Sequence, residues 1–124
     1  MFEVLKIKYL NLQPISKITN KTLERIILRE YSNNFEEVRQ KLKLILSDTA
    51  KGKIRLSAAV LKLSNGDMTN LDFYIKMCNN DFRDVISKAE YPRALQFGFN
   101  NIPSNKSKEI YLDVWTEYAN WLNK

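Results

Sequence analysis

The sequence predicts an all-α fold, a compact single-domain bundle of about five to six short helices spanning residues 1–124. Three observations carry this expectation. At 124 residues with 44% hydrophobic and 27% charged side chains, the chain has globular composition and can bury one core without disulfides or a structural metal. Three Gly and three Pro are too few to punctuate a turn-rich β-sandwich or barrel. Apolar residues mostly recur at i, i+3, i+4 spacing, the signature of an amphipathic helix.

Taken in order, Phe2, Leu5, Tyr9 and Leu12 suit one helical face, although Lys6 and Lys8 flanking Ile7 also suit a short strand. A helix from Lys21 to Glu30 comes next, capped by Asn20, with Leu23, Ile26 and Ile27 turned inward. Asn34 caps another, with Glu37 at the third position as in a capping box and a stripe of Phe35, Val38, Leu42 and Ile45. Asp48-Thr49 opens a central helix to Ser64, whose apolar residues cover more than one face. Gly66 supplies a left-handed turn, Asp67 or Thr69 caps the succeeding helix, and Leu71, Tyr74, Ile75 and Cys78 make its clean stripe. Asn79-Asn80 breaks it, and Phe82, Val85, Ile86 and Ala89 restart the spacing up to Tyr91-Pro92. Residues 93–104 read as a loop, and a last helix from Asn105 to Asn123 aligns Tyr111, Val114, Trp115, Tyr118, Trp121 and Leu122.

The chemistry available is narrow. With no histidine the commonest general base is missing, along with every Ser-His or Cys-His nucleophile, and one cysteine cannot fill a zinc site. No glycine-rich phosphate loop occurs, so the expectation is a protein that is not an enzyme and uses no cofactor or metal. Cys78 lies on an apolar stripe, as a small hydrophobe would. Asp81 and Asp84, with Glu90 nearby, are the one carboxylate group to weigh for cation binding or acid/base work. The first two share a helical face, but acids in a first helical turn also offset the helix dipole, and Arg83 can pair with a carboxylate of a neighbouring helix. Trp115, Tyr118 and Trp121 suit either a core or a stacking platform.

Charge is unevenly placed. Residues 1–62 hold 13 Lys/Arg against 6 Asp/Glu, and residues 63–124 hold 7 against 8. The dense run Arg39, Lys41, Lys43, Lys51, Lys53, Arg55 and Lys62 is the expected partner-binding set, facing an acidic protein or, alternatively, phosphates of a nucleic acid. No apolar stretch long enough to span a membrane and no secretory n-region is present, and the single cysteine fits a reducing compartment, so a cytoplasmic location is expected.

The stretch Ala59-Val60-Leu61-Lys62-Leu63, then Gly66-Asp67, Asp81-Phe82-Arg83-Asp84-Val85 and Ala89-Glu90-Tyr91-Pro92, with the terminal Trp121-Leu122, covers about a third of the chain. It resembles a recurring pattern in small helical bacterial proteins of unassigned function. The resemblance implies a small bacterial cytosolic helical domain and no catalytic activity. The reading that results is a non-enzymatic helical module that masks a protein partner, of the kind represented by bacterial immunity proteins. The alternative is a basic protein that neutralises phosphates through residues 39–62.

Overall fold

The structure, a computed structural model, describes residues 18–90, 92 and 107–124, with the backbone alone described over 107–112. The expected first segment, residues 1–12, and the loop expected over residues 93–104 lie outside the described residues. The described residues form an all-α bundle of six helices with no strand among them: α1 Asn20–Glu30, α2 Phe35–Leu42, α3 Ala50–Ser64, α4 Met68–Asn80, α5 Phe82–Glu90 and α6 Ser107–Asn123. None of these helices is long and apolar enough to cross a membrane.

Short polar side chains set most of the boundaries. Thr19, one residue ahead of the expected Asn20, caps α1. Its hydroxyl accepts from the Thr22 amide at 3.3 Å, and the Thr22 hydroxyl accepts from the Thr19 amide at 3.2 Å, which satisfies two amides that a helix start leaves open. Thr49 caps α3 through the Gly52 amide at 2.9 Å, and Asp67 caps α4 through the Asn70 amide at 2.8 Å. Asn34 departs from the expected capping box: its side-chain amide donates to Glu37 at 3.3 Å, and its side chain makes no capping bond.

The central helix is α3, as expected from its wide apolar coverage. Leu56 through Leu61 are buried without interruption, which requires neighbours on several faces. Helices α1, α4 and α5 supply them, while α6 packs on α1 and α5. The small residues Ser57, Ala58 and Ala59 let these neighbours approach closely, and the core is completed by Ile26, Ile27, Val38, Leu71, Ile75, Val85 and Tyr118. Trp115 and Tyr118 are buried and Trp121 is half-buried, so the aromatic stripe of α6 belongs mainly to the core.

Helix α2 is shorter than its apolar stripe implied. It ends at Leu42, and Ile45 reaches the core from the connection to α3, with 1% of its surface exposed. The turn between α3 and α4 takes two left-handed residues, Asn65 at φ 51° and Gly66 at φ 78°, and the Tyr31 hydroxyl donates to the Asp67 carbonyl at 3.3 Å beside it. A side chain at Gly66 would be strained by its backbone angle and would sit 3.4 Å from the Glu30 carbonyl oxygen. Gly66→Ala is therefore expected to lower the unfolding free energy by about 1–2 kcal/mol, measured by urea denaturation. An unchanged midpoint would show that this turn relaxes without cost.

Candidate functional site

Two concave surfaces flank the first half of α3. The first is a groove of about 400 Å³ between α1, α2 and α3. Leu23, Ile27 and Leu42, buried, and Ile54, half-buried, form its floor. Arg39 from α2, Lys43 at its C-cap and Lys53 from α3 line it with cations, and Glu24 lies on the α1 side. Arg39 and Lys43 both reach the groove, whereas Lys41, two positions on from Arg39, turns to Asp72 of α4. The Lys53 ammonium donates to the Lys43 carbonyl at 3.0 Å, at the C-terminal end of α2, the negative pole of that helix.

The second is a cleft of about 500 Å³ bounded by the segment leading into α3, the end of α4 and the start of α5. Leu46 and Phe82 line it while remaining 72% and 54% exposed, together with the half-buried Ile86 and the buried Leu56 and Cys78. Leu44, 63% exposed, is carried by the same segment. Asn79 fixes that segment from both sides: its carbonyl oxygen accepts from the Leu46 amide at 2.9 Å, and its amide nitrogen donates to the Leu44 carbonyl at 3.0 Å. Ile45 between them is buried, so the two leucines stand in water on a backbone that is anchored at three successive residues. Burial raises the Cys78 thiol above its ordinary pKa, which keeps it protonated and a poor nucleophile at neutral pH.

The seven cations expected to act together have separate environments. Arg39, Lys43 and Lys53 meet at the groove, and Lys51 is exposed in the first turn of α3. Lys41 pairs with Asp72 of α4 at 2.6 Å. Arg55 makes a two-pronged bond to Glu90 of α5, at 2.9 Å from Nε and 2.7 Å from Nη2. Lys62 lies 5.3 Å from the Trp121 ring centroid and 6.0 Å from that of Tyr118, and burial lowers its pKa. Arg29 also lies over Trp121, at 5.5 Å. The cations at Arg55 and Lys62 thus help to hold α5 and α6 in place.

The carboxylates singled out by the sequence do not converge. Asp81 accepts from the Arg83 amide at 3.1 Å and from Arg83 Nε at 3.2 Å, which holds its carboxyl below the usual range. Arg83 thus pairs within its own corner and not across to a neighbouring helix. Asp84 is exposed, whereas Glu90 is fully buried against Arg55. Among the described residues no group of three or more His, Cys, Asp or Glu side chains is placed to hold a metal ion. Nothing in the sequence marks Asn79 as a clamp, because its partners lie 33 and 35 residues away. Leu44 and Leu46 are likewise masked by the apolar run that continues α2. Compared with known protein families, curated proteins and solved structures, the chain matches none.

Glu90 carries a charge inside the core, with its pKa raised by burial and pulled back by Arg55. Arg55→Gln would leave that carboxylate without its cation, and is expected to destabilise the fold by about 3 kcal/mol at neutral pH. A raised folded-state pKa means that the native state takes up a proton more readily than the unfolded chain. Stability is then lost as pH rises through the folded pKa and regained on acidification. The deficit of Arg55→Gln relative to the parent should therefore shrink as pH is lowered from neutral towards the ordinary glutamate pKa. Denaturation midpoints across that range measure it; a constant deficit would mean that Glu90 is not the charge left behind.

Proposed function

We propose that this chain is a non-catalytic protein-interaction module that masks a protein partner, in the manner of a small cytosolic bacterial immunity protein. The observation that carries this reading is the fixed display of two exposed leucines, Leu46 lining the cleft with Phe82 and Leu44 on the same clamped segment. Exposed leucines that are merely tolerated need no support. Here one asparagine holds the backbone at both of them, while Ile45 anchors the segment from inside. Apolar side chains that are ordered before contact lose little entropy on binding, and such groups at the centre of a contact supply most of its energy. The adjoining Lys43, Lys51 and Lys53 would speed approach to an acidic surface and set its orientation.

Binding of nucleic acid through residues 39–62 is the weaker reading. Affinity for phosphates grows with the number of cations that can reach them. Lys41 and Arg55 in that run already pair with Asp72 and Glu90, and Lys62 lies over the aromatic rings of α6.

The test is an affinity pull-down of the tagged full chain from lysate of its native host, with and without nuclease. One stoichiometric protein is expected to survive nuclease. Its affinity should fall about 30-fold or more in a Leu44→Ser/Leu46→Ser variant whose thermal unfolding is unchanged. Recovery of nucleic acid, with associated proteins released by nuclease, would reverse the ranking.

A further inference from the structure

We infer that the groove between α1, α2 and α3 receives an acidic amphipathic helix of the masked protein. This deepens the protein-masking reading and rests on it, but it uses a different surface from the leucine cleft.

The floor and rim divide by chemistry. Leu23 and Ile27, one turn apart on α1 and largely buried, floor the space with Leu42 and the half-buried Ile54, so the inward face of an occupant meets apolar side chains. Arg39 on α2 and Lys43 at its C-cap set two cations along one wall, and a helix lying along α2 can face them with carboxylates at i and i+4. Neither cation is committed. Arg39 touches Glu36 at 3.4 Å with both side chains at least half exposed, an interaction that exchanges readily, and no internal ion pair involves Lys43 among the described residues. Lys53 uses one of its three donors on the Lys43 carbonyl.

A helix also suits the walls better than an extended strand does. The walls are helices whose backbone groups are bonded within themselves or, at ends such as those capped by Thr19, Thr49 and Lys53, by side chains, so a strand laid between them would find few backbone partners for its own amides and carbonyls. A helix satisfies its backbone internally and offers only side chains. Glu24 on the α1 side disfavours a polyphosphate occupant and fits a lysine or arginine on the far flank of the same helix.

The full chain can be titrated, by fluorescence anisotropy, with a synthetic helical peptide bearing a leucine stripe flanked by glutamates at i and i+4. Two controls are needed: one with those glutamates replaced by lysine, and one of the same composition with the leucine stripe scrambled. The glutamate peptide is expected to bind, and the Arg39→Glu/Lys43→Glu variant to bind it about fivefold or more weakly. Pairing the lysine peptide with that variant should restore affinity. Because both residues are solvent-facing, the variant should melt like the parent. Equal binding of the scrambled or lysine peptide to the parent, an unaffected double variant, or tighter binding of a single-stranded oligonucleotide than of the glutamate peptide would each overturn the assignment. Leu44→Ser/Leu46→Ser should leave peptide affinity unchanged. Failure here alongside a protein captured through the leucine cleft would remove the groove assignment alone, whereas loss of that capture would remove the masking reading.

Discussion

The enclosure of α3 is the constraint on which the rest of this structure depends. Six consecutive residues, Leu56 to Leu61, are buried, so every face of that stretch must find a neighbour, and no two-helix arrangement can provide one. Three helices close around it, and small side chains at Ser57, Ala58 and Ala59 permit the approach. Glu90 is carried into this core at the end of α5, where it would be prohibitively costly alone. Arg55, just ahead of the buried run, meets it with both prongs while keeping 39% of its own side chain in water. A partly wet cation answering a dry carboxylate loses less hydration than a pair buried together, and it fixes the register of α5 on α3.

That requirement explains how the basic half of the chain is divided. A count of lysines and arginines treats them as one field, but helical geometry sends them in different directions. Lys41 and Arg55 tie α2 to α4 and α3 to α5, and Lys62 with Arg29 lies over Trp121, where α1, α3 and α6 come together. These cations are consumed by assembly of the bundle. Cations that open onto the groove, such as Arg39 and Lys43, and the exposed Lys51 keep their charge for something outside.

How much of this is legible in the sequence depends on the range of each interaction. Stripes and caps are local: α1, α3, α4 and α5 appear close to their expected bounds, because i, i+3, i+4 spacing and the positions of Thr49 and Asp67 lie within a turn or two of one another. The end of α2 escapes the same local logic. Ile45 continues the helical spacing, yet the chain leaves the helix at Leu42 and turns Ile45 inward by a different path, a choice made by tertiary packing. The Asn79 clamp and the Arg55–Glu90 pair join residues 33 to 35 apart, and no pattern within one helix announces either. The candidate site is correspondingly half visible. Its cations can be named from the sequence, whereas the two exposed leucines cannot be told from core.

The leucine cleft and the basic groove share one short segment, residues 43–49, and this makes the segment the mechanical centre of the proposed interaction surface. Its first residue, Lys43, lines the groove and also lends its carbonyl to Lys53; its middle residues are clamped by Asn79; its last, Thr49, caps α3. A connection without regular structure would ordinarily be the loosest part of a helical bundle. Here each end is tied to a helix terminus and the centre to the core through Ile45, so the apolar and charged features are held at a fixed separation. A partner engaging both would find them preorganised, and the specificity of that contact would come from their spacing as much as from either feature alone.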